Sequence, residues 1–228
     1  MRPEDMFHIE NTDGFATGGM CIGLLAIAGC SAASLVDYLA AEEAILVNMR
    51  QRFEGLDRKA LKALPPMDAY TAYYKRFGQN YPLIQQLEST LRSDKQREAD
   101  SPLIRAMFIA EMNSMLLTAG HDIEKLRQPI TLGLAKGEEA YLSISGRETA
   151  AVKGDAYICD REGVLSSILR GPDERTRITA ETVDALFTVY APSGVDTGAV
   201  NGMLDELERL IRLFAPASIR QYKGILPA

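Results

Sequence analysis

A chain of 228 residues, 46% hydrophobic and 25% charged, without tryptophan or low-complexity tracts, has the composition of a globular protein that buries a core without metal or disulfide staples. Its net charge of −6 at neutral pH has the wrong sign for gripping polyphosphate over a broad surface, so any nucleic-acid contact must rest on a local basic patch. Cys21, Cys30 and Cys159 form an odd set without a CxxC pair, each in an apolar run; this argues against a disulfide framework or zinc site and predicts free thiols in a reducing, cytoplasmic compartment.

The run MCIGLLAIAGC, Met20 to Cys30, is unbroken apolar and glycine sequence. It is shorter than the roughly 20 residues that cross a bilayer. Glu4, Asp5, Glu10 and Asp13 precede it where a secretion signal has basic residues, so a buried strand and no membrane span are expected. Ser31 or Ser34 can cap a long amphipathic helix carrying Leu35, Leu39, Leu46, Met49 and Phe53, ended by Gly55. Asp68 is placed to cap a second helix with Tyr70, Tyr73, Tyr74 and Phe77 on one face and Gly78 at its exit. Such an aromatic stripe is ordinarily core, although it can also stack bases or an aromatic substrate. Asn80 and Pro82 restart the chain as a third helix with Leu83, Ile84, Leu87 and Leu91 inward. Ser93 to Pro102 reads as a polar, exposed linker, and Ser101-Pro102 starts a central helix over Leu103 to Leu117 that Gly120 closes.

From Pro129 the hydrophobic period changes to two. ITLGLA, AYLSIS, AYICD and VLSSILR alternate between turn signals at Lys136-Gly137, Ser145-Gly146, Lys153-Gly154-Asp155 and Glu162-Gly163, which predicts an antiparallel meander. ALFTVYAP adds a strand, and an amphipathic helix from Asp196 through Phe214 stops before Pro216. Helices first and strands later indicate an α+β fold, with helices packed on a mixed, largely antiparallel sheet. One domain over 1–228 is expected, with 193–228 as a C-terminal helical extension.

No Walker loop, dinucleotide fingerprint, nucleophile elbow or metal-ligand cluster is present, so no metal and no cofactor are expected. His121, one of two histidines, is followed by Asp122. Adjacent side chains face apart on helix and strand alike, so this pair reads as a helix end and a cap, with His121 at a junction from which it could enter a pocket. Gly137-Glu138-Glu139 reads as a solvated hairpin turn. Arg170 to Thr179 (RGPDERTRIT) concentrates arginines and threonines suited to phosphate or carboxylate, or forms a solvated loop with Thr179 capping a helical turn.

Taken together, DAYTAYYKRFG, QLEST, the apolar helix ending in Gly-x-Asp, GEEAYLSISG, KGDAYICD, VLSSILR and TRIT resemble the solo B3/B4 domain proteins, which are related to the editing module of the bacterial phenylalanyl-tRNA synthetase beta subunit. The resemblance runs from about Ile9 to Pro192. It implies a compact B3/B4-like α+β domain and an association with tRNA or aminoacyl-tRNA; the parent module hydrolyses tyrosine wrongly attached to the phenylalanine tRNA. Arg170, Thr176 and Thr179 match the family's arginine and threonine positions. Where the editing module has a histidine, three residues before the aspartate matching Asp122, this chain has Ala119; LFTVY lacks the module's glutamate, leaving Tyr190 or Thr188 to recognise the substrate. Ser101 and Arg105 replace an asparagine and an aspartate usual in the solo family.

The resemblance therefore implies either a freestanding editing hydrolase, with His121 orienting water and Arg170, Thr176, Thr179 and Tyr190 binding substrate, or a module that binds tRNA or a small molecule such as an amino acid without chemistry. A third reading, an interaction protein docking through the Asp196–Phe214 helix, competes with that helix packing on its own sheet.

Overall fold

The computed structural model describes residues 9–11, 19–92 and 101–226. Glu4, Asp5, Asp13 and the expected linker at 93–100 lie outside the described residues. The fold is α+β, built on two main sheets. The apolar run after Met20 forms β2 (Cys21–Ala28), paired antiparallel on one side with β10 (Ala185–Ala191) and on the other with β11 (Ile219–Leu226). The free edge of β10 takes β3 (Thr118–Asp122), completing the order β11-β2-β10-β3. All seven residues of β10 are buried, as are the inner six of β2, which is why both read as continuous apolar runs instead of alternating ones.

The second sheet has the order β1-β4-β7-β8-β9, from β1 (Ile9–Asn11), β4 (Ile130–Leu134), β7 (Ala156–Cys159), β8 (Val164–Ser167) and β9 (Gly171–Pro172). The pairs from β4 to β9 are antiparallel, as the alternating runs after Pro129 predict, while β1 lies parallel to β4 and makes the sheet mixed. A separate hairpin, β5 (Ala140–Leu142) and β6 (Glu148–Ala150), projects from it.

The helices are α1 (Val36–Arg52), α2 (Arg58–Lys62), α3 (Pro65–Lys75), α4 (Leu83–Arg92), α5 (Pro102–Ser114) and α6 (Thr197–Phe214). Several boundaries differ from expectation. At α1 the N-cap is Leu35, with Ser34 Oγ accepting from Val36 N at 3.3 Å. Pro65 opens α3 one turn before Asp68, which sits in the first turn where a carboxylate suits the helix dipole. The short α2, capped by Asp57 accepting from Ala60 N at 2.8 Å, had no counterpart in the periodicity. The central helix α5 ends at Ser114, because Met115 turns left-handed at φ 63° with its N–H on Glu111 O. Gly120 therefore terminates nothing. It lies inside β3, where a Cβ would stand 2.5 Å from Ile178 Cδ1 and 3.1 Å from Met107 Sδ, so its role is close approach.

The segment 193–228 is not a helical appendage. After α6, capped by Asp196, the chain returns as β11 against β2 and completes the first sheet. Arg220 and Lys223 with a register shift between Arg220 and Tyr222 blunt this edge strand. The buried stripe of α6, from Val200 to Phe214, covers one face of that sheet. Its approach depends on Gly23 of β2, where a Cβ would fall 2.5 Å from Val200 Cγ1. Tyr190 points to the opposite face, and its hydroxyl meets Ser166 Oγ of the second sheet at 2.7 Å.

Candidate functional site

A cleft of about 270 Å³ opens where β3 and the turn after β8 meet α3 and α5, lined among others by Tyr74, Glu111, Thr118, Ser167, Arg170 and Tyr190. The turn is held from below by a buried carboxylate. Asp155 accepts from Tyr73 Oη at 2.6 Å and from Leu169 N at 3.0 Å, and Tyr73 Oη accepts from Ala156 N at 2.8 Å. Burial raises the Asp155 pKa, opposed by these hydrogen bonds. Tyr74 Oη donates to Ile168 O at 2.7 Å, and Tyr141 of the hairpin donates to Gly171 O at 2.9 Å. With the backbone from 168 to 171 so fixed, exposed Arg170 stands at the cleft wall, its N–H on Ser167 Oγ at 3.2 Å. From α5, the largely buried Glu111 accepts Thr118 N at 2.8 Å, binding the start of β3 to the helix. A carboxylate and a guanidinium thus share one small cleft.

The tyrosine stripe of α3 is core, and each buried phenol is used. Tyr70 donates to Tyr190 O and accepts from Leu117 N at 2.9 Å, while its ring stacks on Tyr81 with centroids 4.6 Å apart. These rings tie helix to sheet and offer no open stacking platform.

Behind the cleft runs a buried polar chain. His121 is fully buried, with Nδ1 at 2.8 Å from Thr176 Oγ1 and Nε2 at 3.2 Å from Ser166 Oγ. Thr176 Oγ1 donates its one proton to Asp173, so it accepts from His121 Nδ1–H. Nε2 is then the acceptor, fed by the Ser166 hydroxyl, whose oxygen lies 2.7 Å from the Tyr190 hydroxyl, itself a donor to Ser166 O at 2.9 Å. Burial and the nearby Arg175 charge lower the His121 pKa to about 3, against a smaller upward pull from Asp160. The ring is neutral and internal. Asp122, its neighbour, faces elsewhere: it accepts from Glu124 N at 3.1 Å as the cap of a single 3-10 turn, Ile123–Lys125, and from Thr182 Oγ1 at 2.9 Å.

The structure thus separates the expected site residues into three places. Arg170 and Tyr190 line the cleft, Tyr190 with its phenol turned inward to Ser166. His121 and Thr176 belong to the buried chain. Thr179 lies in a turn of its own, donating to Glu181 Oε2 at 2.8 Å. Of the three arginines in RGPDERTRIT, Arg175 clamps Asp160 at 2.8 Å and Arg177 pairs with Glu174 at 3.4 Å, whereas Arg170 has no ion pair among the described residues. Glu111, Thr118 and Ser167 were not singled out by the sequence. The one available signal was Glu111 itself, a lone carboxylate inside the apolar helix MFIAEM.

Among the described residues no group of three or more His, Cys, Asp or Glu side chains is placed to hold a metal ion, and no helix is long and apolar enough to cross a membrane. Fold and site together define an α+β protein with a small cleft bearing one carboxylate and one guanidinium. No family model matches the chain, and no curated protein matches it. Among solved structures it is similar to an N-terminal fragment of the phenylalanyl-tRNA synthetase beta-subunit from Pyrococcus horikoshii, with a TM-score of 0.49 and 12% identity; the match covers 97% of this chain and 55% of that one. The chain spans little more than half the length of that fragment.

Proposed function

We propose that the protein recognises the aminoacyl end of a tRNA, or an amino acid presented in the same way, in the cleft between Glu111 and Arg170. The observation that carries this reading is the pairing of opposite charges across a cleft of amino-acid size: Glu111 suits a ligand ammonium, and Arg170 suits a carboxylate or phosphate oxygen. The resemblance to the B3/B4 family supplies the aminoacyl identity. A cytoplasmic setting, where charged tRNA is found, accords with three free thiols. Recognition without chemistry is favoured over hydrolysis by one fact: His121, the only histidine among the described residues, has both ring nitrogens bonded to internal hydroxyls and no exposure to a water that it could orient.

Titration calorimetry with an adenosine carrying a non-hydrolysable 3′-aminoacyl amide tests this directly, with deacylation of a mischarged tRNA measured in parallel. Glu111→Gln and Arg170→Ala should each weaken binding by roughly 10-fold or more, the cost of leaving one charge of a pair unmatched. The protein should leave the lifetime of the aminoacyl ester unchanged. Absence of binding would refute the proposal, and deacylation that disappears in folded His121→Ala would restore the hydrolase.

A further inference from the structure

Pro82, at the rim of the cleft, also lines a second pocket of about 310 Å³ formed by α2, α3 and the start of α4. Its side chains come in pairs. Arg58 and Lys62 are four residues apart on α2, and Thr71 and Lys75 four apart on α3, so each helix presents two polar groups on one side. Gln79 and Gln85 add amides. Three cations therefore line one concavity of a protein whose net charge is −6. Their charge is only partly answered: Arg58 lies 3.8 Å from Glu88, while Lys62 and Lys75 have no ion pair among the described residues.

Two further features distinguish the pocket from a solvated lysine face. Thr71 Oγ1 is buried without a hydrogen-bond partner among the described residues, an arrangement that costs free energy until a ligand atom satisfies it. The N-terminal turn of α4, through Ile84 and Gln85, forms part of the wall, and no acidic residue in that turn offsets its positive end. Cations, amides, an unsatisfied hydroxyl and a helix N-terminus all favour an anion with several oxygens.

We infer that this pocket is a phosphate-binding site. On the reading of the cleft given above, the phosphate belongs to the nucleotide whose aminoacyl end lies between Glu111 and Arg170, with Pro82 as the shared wall. An otherwise acidic protein would then contact nucleic acid through one local basic site, which confines its attraction for phosphate to the ligand's end.

The experiment has two arms. In the first, inorganic phosphate is titrated into isotope-labelled full chain and followed by amide NMR. Resonances of Thr71, Lys75, Gln79 and Gln85 should shift, and Lys62→Ala/Lys75→Ala, a double change at two exposed side chains, should weaken binding by roughly 10-fold or more. Lys153→Ala, at an exposed side chain outside both the pocket and the cleft, should leave phosphate binding unchanged. Shifts confined to other regions, or a double variant that binds phosphate like the parent, would overturn the inference. In the second arm the aminoacyl-amide adenosine is compared with and without a 5′-phosphate. The phosphate should improve affinity about 10-fold in the parent and not in the double variant; an advantage that survives in the double variant also overturns the inference. If inorganic phosphate titrates the pocket while neither nucleotide binds, the phosphate site stands and the reading of the cleft falls.

Discussion

Replacing His121 by alanine separates a structural from a catalytic histidine, and the pH dependence of the loss carries the information. The substitution removes a fully buried ring and takes one partner each from the Thr176 and Ser166 hydroxyls. Cavity and lost hydrogen bonds together should cost about 3 kcal/mol at pH 7. The imidazole titrates at about 3 in the folded protein, against roughly 6.5 when unfolded. A depressed folded pKa means that the stability attached to neutral His121 is present above pH 6.5 and is lost as pH falls toward 3. Between pH 7 and pH 5 the unfolded parent gains a proton that its folded state refuses, destabilising the parent by about 2 kcal/mol. The alanine variant lacks that penalty, while His8 and the facing Arg175, Asp160 and Asp173 are common to both proteins. The gap between them should shrink from about 3 kcal/mol at pH 7 to about 1 at pH 5. Urea unfolding followed by far-UV circular dichroism, suited to a chain without tryptophan, measures it. A gap that stays constant across this range would mean that folded His121 titrates normally, and would refute its assignment as a sealed, neutral link.

Gly23→Ala should cost about 1–3 kcal/mol, read as a lower urea midpoint, because its Cβ would meet the stiff β-branched Val200 and push α6 off the sheet. Glu42 of α1 is buried against Arg105 of α5 and accepts from Tyr38 Oη at 3.2 Å; Arg105→Met leaves that carboxylate without its cation and should destabilise by roughly 3–5 kcal/mol in thermal or urea unfolding. Burial raises the pKa of all three cysteines, Cys30 to about 12, so a disulfide reagent at pH 7.5 should react slowly with folded protein and count three thiols after unfolding without reductant. Rapid native reaction at Cys30 would contradict its burial.

The α+β order, the buried strand after Met20 and the antiparallel strands after Pro129 were visible in the sequence because each depends on local hydrophobic period. What periodicity could not carry was termination and pairing. Gly120 resembled a helix stop, yet the left-handed turn falls at Met115, a residue with no propensity for it; β3 was consequently hidden in what read as a helix end and a cap. Residues 219–226 form a strand only because β2 offers them an edge, a relation no local window contains. The site divided along the same line. Arg170 could be found from the local arginine-rich loop, whereas Glu111 reaches the cleft through the packing of α5 against β3, and His121 withdrew into the core for the same reason.

The placement of β2 has a consequence for how this chain is made. Its two neighbours, β10 and β11, come from residues 185–191 and 219–226, and among the described residues no nearer segment pairs with it. During synthesis the run CIGLLAIA therefore leaves the ribosome well before β10 and β11 and must wait for them, an apolar segment of high β-propensity with both edges open. Long-range closure of this kind is slow relative to helix formation. Helices α1 and α3 to α5 can form in the interval, but α6, whose Val200 and Leu204 pack over Gly23 of β2, is made only after β10. Recovery of native protein in the cell should accordingly depend on translation speed and chaperone supply more steeply than the equilibrium stability of the finished fold would suggest.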